Sequence, residues 1–84
     1  MPAMTMDDLK EAVFQAVVSL GGKAKLIEIA KQVWADHEID LRDSGDRFYK
    51  WQYEMRWAAK TLRDEGRFAP ADGSPKGIWV VQKQ

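Results

Sequence analysis

The sequence has 84 residues and no cysteine, and its 13 Lys and Arg side chains balance its 13 Asp and Glu side chains. This length allows one domain with a modest core, and the lack of cysteine excludes a disulfide or a thiolate-metal site as a staple. No apolar run approaches the ~20 residues of a membrane span and no signal-peptide pattern opens the chain, so we expect a cytoplasmic protein.

The charges are distributed unevenly along the chain. Residues 1–46 hold five Lys/Arg and nine Asp/Glu, a balance of −4, whereas residues 47–84 hold eight and four, a balance of +4. The two halves therefore carry opposite fields, and the basic half is a candidate for an anionic partner. The alternative is an ordinary solvated surface with balanced charge.

The acidic half begins with a predicted helix. After a frayed start at residues 1–4, Thr5 and Asp8 have the spacing of a capping box, with Asp in the place of the usual Glu or Gln. Apolar residues then recur at intervals of three and four over residues 6–20, which predicts a helix with one buried face. Gly21-Gly22 is expected to end it.

A short strand and a second helix follow. Residues 23–26 predict an extended segment, and residues 27–36 predict a helix. Residues 36–46 contain five acids and one arginine, which favours a long acidic connection containing at most one helical turn. Its apolar anchors are Ile39 and Leu41. Either Ser44 or Asp46 is expected to cap the third helix.

The longest predicted helix covers residues 47–65 and has two chemically different faces. At about 100° per residue, one face is apolar and should pack on the core: Phe48, Trp51, Met55, Ala58, Ala59 and Leu62. The other face is basic and aromatic and should meet solvent: Tyr49, Tyr53, Arg56, Lys60 and Arg63, with Gln52 at its edge. Gly66 is expected to end this helix, because the position after a helix often needs a positive φ.

The C-terminal segment predicts a β-hairpin over residues 67–83. Residues 78–83 are rich in β-branched and aromatic side chains, as strands are, and turn dipeptides precede them. Helix, short strand, helix, helix and hairpin is the order of an α+β winged helix-turn-helix. In that arrangement residues 47–65 form the recognition helix and residues 67–83 form the wing.

The third helix and the start of the last strand carry a further pattern: Trp51-x-x-Glu54-Met55-Arg56-Trp57-Ala58, then Leu62, Gly66 and Gly77-Ile78-Trp79. This pattern resembles the N-terminal winged-helix domain of Mrr-type restriction proteins. The resemblance covers roughly residues 6–83 and implies a DNA-binding module, either a stand-alone regulator or the recognition part of a restriction-like assembly with a nuclease subunit. No Asp…Glu-x-Lys nuclease motif follows the hairpin, so we expect no enzyme activity and no cofactor.

The predicted partner is double-stranded DNA, whose major groove admits one α-helix. The expected contacts are Tyr49, Gln52, Tyr53, Arg56, Lys60 and Arg63 from the third helix and Lys76 from the wing, with Lys83 as an accessory. Cations would pair with phosphates, and Gln52 is the best candidate for a base contact, because glutamine can bond adenine bidentately. Lys23 and Lys25 are either a second phosphate contact or plain solvation.

Other readings of the same residues are less favoured. Trp51, Trp57 and Trp79 could stack on bases, but core roles are favoured, with Trp57 beneath the wing or against the first helix. His37 is the sole histidine and makes no recognisable metal site. The alternative function is a protein–protein interaction domain without DNA binding, because a fold does not fix a function. The acidic connection with Ile39 and Leu41 would then be the contact surface.

Overall fold

A computed structural model describes residues 4–70 and 77–82. They form three helices and a two-stranded antiparallel sheet: α1 (Met6–Ser19), β1 (Lys23–Lys25), α2 (Leu26–Arg42), α3 (Arg47–Asp64) and β2 (Ile78–Val80). The predicted α+β class is confirmed. No helix in this part of the chain has both the length and the apolar character needed to cross a membrane.

The start of α1 is capped as predicted. Asp8 N–H donates to Thr5 Oγ1 at 3.1 Å, and Thr5 N–H donates to Asp8 Oδ2 at 3.0 Å. The hydrogen bond that the Asp8 carboxylate accepts from the Thr5 backbone, and after it the one from the Thr5 side chain, lower the pKa of Asp8. At the other end, Gly21 and Gly22 have φ values of 100° and 96°, which glycine adopts without strain, so the predicted stop is confirmed.

The predicted frayed start is wrong for Met4. Its side chain is only 5% exposed, and its N–H donates to Ser44 Oγ at 3.0 Å. Because Ser44 follows α2, this contact joins the beginning of the chain to the connection between α2 and α3.

The apolar stripe of α3 packs against α1 and α2 and forms the centre of the core. Met55, Ala58 and Leu62 are fully buried, and Trp51 and Ala59 nearly so, as predicted. Phe48, at the N-terminal end of the stripe, is half-buried. The α1 residues that complete this layer are Leu9, Ala12, Val13, Ala16 and Val17. Burial of the stripe fixes the rotation of α3 about its axis, so the opposite face of the helix meets solvent.

The predicted end of α3 at Gly66 is confirmed. Gly66 has φ 78°, its N–H donates to Arg63 O at 3.0 Å, and Arg67 N–H donates to Leu62 O at 2.8 Å. This pair of hydrogen bonds is a Schellman motif, which satisfies carbonyls left free at the end of the helix.

The second helix is longer than predicted, because α2 continues to Arg42 through a bend at His37 (φ −133°, ψ 23°). The long acidic connection over residues 36–46 is therefore wrong. The polar residues lie on the outer side of a helix, where Glu38 and Arg42 pair one turn apart at 2.9 Å. Leu41 is fully buried, whereas Ile39, expected as a second anchor, is 72% exposed.

Only residues 43–46 connect α2 to α3, and neither expected cap is made. Asp46 has helical backbone angles and no capping hydrogen bond. Ser44 Oγ instead donates to Asp40 O while accepting the Met4 N–H. The turn contains Gly45 at φ 62°, whose carbonyl accepts Phe48 N–H at 3.1 Å.

The C-terminal strand pairs differently from the prediction. Ile78–Val80 forms β2, but its ladder partner is β1, with Ala24 opposite Trp79. The other expected arm of the hairpin is reduced to one bridge between Phe68 and Val81, flanked by Ala69 N–H donating to Val80 O at 2.8 Å. The loop between the arms, residues 71–76, lies outside the described residues, as does Lys83.

Candidate nucleic-acid interface

One side of α3 presents aromatic, amide and cationic side chains to solvent. Tyr49 and Tyr53 are 84% and 81% exposed. Gln52, Arg56 and Lys60 are also exposed. These five residues, which we call the α3 face, lie outside the buried stripe, with Gln52 at the edge, as the helical period predicts. They provide positive charge and hydrogen-bonding groups on one accessible surface.

The predicted cations of this surface are not equivalent. No carboxylate of the described residues lies within ion-pair distance of Arg56, whereas Lys60 Nζ lies 3.1 Å from Asp64 Oδ2. Both partners of that pair are largely solvated, at 75% and 66% exposure, and pairs of this kind contribute little and exchange readily with other ions. Arg63, also predicted as a DNA contact, is half-buried at the edge of the face. Arg56 is therefore the most available cation of the three.

The α3 face borders the N-terminal half of α2 along two adjoining clefts of about 360 and 450 Å³. Ile27, Ala30 and Gln52 line both clefts. The first also contains Trp34, Phe48 and Lys31, and the second contains Tyr53 and Arg56. The beginning of α2 and the middle of α3 thus form one continuous surface. Sequence reasoning missed the contribution of α2.

The prediction for Trp57 is wrong, whereas those for Trp51 and Trp79 are confirmed. Trp51 and Trp79 are 4% and 8% exposed, but Trp57 is 41% exposed. It lies one helical turn after Tyr53, at the border of the α3 face. The helical period places Trp57 outside the apolar stripe, and this position indicates that the side chain is exposed.

Two further cations that were candidates for a phosphate contact lie on β1. Lys23 and Lys25 are exposed on β1 on either side of buried Ala24, the alternation expected of a strand with one buried face. Lys25 immediately precedes α2, so its backbone lies close to the clefts. Lys76 lies outside the described residues.

Two ion pairs join α1 to the residues that follow α3, and their cations are Arg67 and Lys10. Arg67 donates to both carboxylate oxygens of Glu11, with Nη2 at 2.9 Å from Oε1, and its guanidinium lies 4.2 Å from the centre of the Phe14 ring. The hydrogen bond from Arg67 lowers the pKa of Glu11. Lys10 Nζ lies 2.7 Å from Glu65, and that hydrogen bond raises the pKa of Lys10. Arg67 and Lys10 therefore hold the fold together and are poor candidates for binding an external anion.

Comparison of the sequence with models of known families and with curated proteins gives no match, and neither does comparison with solved structures. Among the described residues, no three His, Asp or Glu side chains gather closely enough to hold a metal ion. His37 is half-buried at the bend of α2.

Proposed function

We propose that this chain is a winged-helix module that binds double-stranded DNA, with α3 in the major groove and the segment around β2 beside the DNA backbone. The observation that carries the proposal is the α3 face, where exposed Arg56 has no carboxylate partner among the described residues and lies beside Gln52 and two exposed tyrosines. Arginine and lysine supply affinity for phosphates, and glutamine and tyrosine supply hydrogen bonds to base edges or the backbone.

The geometry of the α2–α3 junction supports the same proposal. In a helix-turn-helix, two helices are joined by a turn of three or four residues that often contains glycine. Residues 43–46 form such a turn, with Gly45 at φ 62°. The strand between α1 and α2 pairs with β2. Val81, directly after β2, forms a bridge with Phe68 in the segment that follows α3. This connectivity is compatible with a winged helix.

The Mrr-type resemblance suggests two settings for such a module. It would act alone as a regulator, or it would position a nuclease subunit in a restriction-like assembly. In both settings the module itself binds and does not catalyse, and the DNA contacts are the same.

A second candidate function rests on Ile39. This side chain is 72% exposed on the C-terminal part of α2, where the neighbouring side chains are acidic. An exposed isoleucine among acids would suit a basic protein surface with an apolar pocket, and that function requires no DNA binding.

Titration with a short random-sequence duplex, followed by amide NMR, separates the two candidates. DNA binding through α3 predicts saturable shifts concentrated between Tyr49 and Lys60 and near the start of α2, with little change between Glu38 and Asp43. The Arg56→Ala variant should weaken these shifts without altering the folded spectrum. An absence of shifts at low salt would contradict DNA binding and leave the protein-binding alternative.

A further inference from the structure

Ile27, the second residue of α2, is an apolar side chain that lies outside the core. It is 61% exposed, while Ile29 and Val33 of the same helix are fully buried and connect α2 to the core. Ile27 therefore adds little to the core. It lies at the wall shared by the two clefts between α2 and α3.

Gln52 of the α3 face lines the same two clefts as Ile27. Exposed Lys31 lines the first cleft, and exposed Arg56 lines the second. An apolar side chain and an amide are thus presented on one surface that also carries two cations. The positive charge favours a polyanionic partner. The apolar side chain and the amide favour a partner that exposes apolar groups next to hydrogen-bonding groups, as the base edges in the major groove of DNA do.

An A·T pair presents chemical groups that complement both Gln52 and Ile27. Adenine offers N7 as an acceptor and N6 as a donor, which a glutamine amide can engage together, and thymine offers its methyl group to an apolar side chain in the same groove. A G·C pair offers neither the adenine pattern nor the methyl group. The two residues therefore complement opposite strands of one short A·T segment.

We propose that Ile27 and Gln52 form a specificity element that selects A·T pairs, with Gln52 bonding adenine and Ile27 covering a thymine methyl. The inference rests on the proposed DNA binding and adds the base preference and the role of α2. Ile27 then serves recognition, which accounts for an exposed isoleucine in clefts that also contain Lys31 and Arg56.

The test uses a short duplex containing only A·T pairs and the same duplex with deoxyuridine in place of thymidine, which removes the methyl group and keeps the pairing. The unmodified protein should bind the deoxyuridine duplex about fourfold more weakly than the thymidine duplex, because one buried methyl group is lost. Ile27→Ala should bind both duplexes equally. Ile39→Ala is the matched control, because it removes another exposed isoleucine from α2, and it should retain the thymine preference.

A G·C-only duplex completes the experiment. The unmodified protein should prefer the A·T duplex, and Gln52→Ala should lose most of that preference while still binding both. Equal binding of the thymine and uracil duplexes by the unmodified protein would overturn the role of Ile27 while leaving DNA binding intact. Failure to bind any duplex at low salt would overturn the proposed function, and this inference with it.

Discussion

Lys60 and Asp64 form an ion pair one turn apart on α3, with 3.1 Å between Nζ and Oδ2. The carboxylate neutralises one cation of the α3 face and would also repel a phosphate. Asp64→Asn should therefore strengthen duplex binding at low salt, by at most about fivefold, because exposed pairs of this kind are worth less than about 1 kcal/mol. Asp7→Asn on α1 is the control, and an equal gain in that variant would assign the effect to net charge alone.

The exposure of Trp57 can be measured directly. Trp51 and Trp79 are nearly buried and Trp34 is half-buried, so Trp57 should account for most of the fluorescence that acrylamide quenches. Trp57→Phe should remove most of this quenchable component with little loss of stability. Bound duplex should protect Trp57, since it lies one turn from Tyr53. Unchanged quenching in the variant would show that Trp57 is covered in solution.

The Glu11–Arg67 pair predicts a loss of stability in acid. Arg67 lowers the pKa of Glu11 in the folded state, so the pair stabilises the fold above the unfolded pKa of about 4.3. That stabilisation disappears as the pH falls through the lower folded value. Glu11 is 50% exposed, so solvent screening limits the coupling at neutral pH to roughly 0.2–1 kcal/mol.

A double-mutant cycle is needed to isolate the coupling energy between Glu11 and Arg67, because Arg67 also packs on Phe14. Glu11→Gln, Arg67→Gln and the double variant should be compared by urea unfolding at neutral pH and again well below pH 4. The coupling should be present in the first condition and absent in the second. A coupling energy that does not change with pH would contradict the assignment to the ion pair.

The unexpected length of α2 makes a sharp prediction about two neighbouring residues. Leu41 is fully buried, so Leu41→Ala should lower the free energy of unfolding by about 2–5 kcal/mol. Ile39 is 72% exposed, so Ile39→Ala should change it by no more than about 0.5 kcal/mol. Chemical denaturation measures both. Similar losses in the two variants would favour the acidic connection that the sequence suggested.

The sequence predicts α3 well because its apolar residues follow one helical period, so Met55 and Leu62 had to share a buried face. It predicts α2 poorly beyond His37. Exposed acids suit the outer face of a helix as well as a loop, and a single buried residue, Leu41, gives no period to distinguish them. The predicted hairpin pairing is also wrong, because strand propensity indicates that residues 78–80 are extended but does not identify β1 as their partner.

The candidate site also has a part that the sequence predicts and a part that it does not. Periodicity predicts the exposure of Tyr49, Tyr53 and Arg56, because it depends only on the position of the buried stripe. It cannot predict that Ile27 lies beside Gln52, since their proximity depends on how α2 and α3 pack. The prediction that Trp57 is buried rests on the tendency of small cores to use tryptophan, and the position of Trp57 around the helix overrides that tendency.

The salt dependence of binding to random-sequence duplex tests the central claim most directly. Each phosphate contact contributes about 0.9 to the slope of log affinity against log salt concentration. The Arg56→Ala, Lys60→Ala double variant should therefore reduce the slope by about two while keeping the melting temperature. Lys50→Ala, about 120° around α3 from Arg56, should leave the slope unchanged. An unmodified protein that fails to bind at low salt, or a double variant with an unchanged slope, would contradict DNA binding through α3.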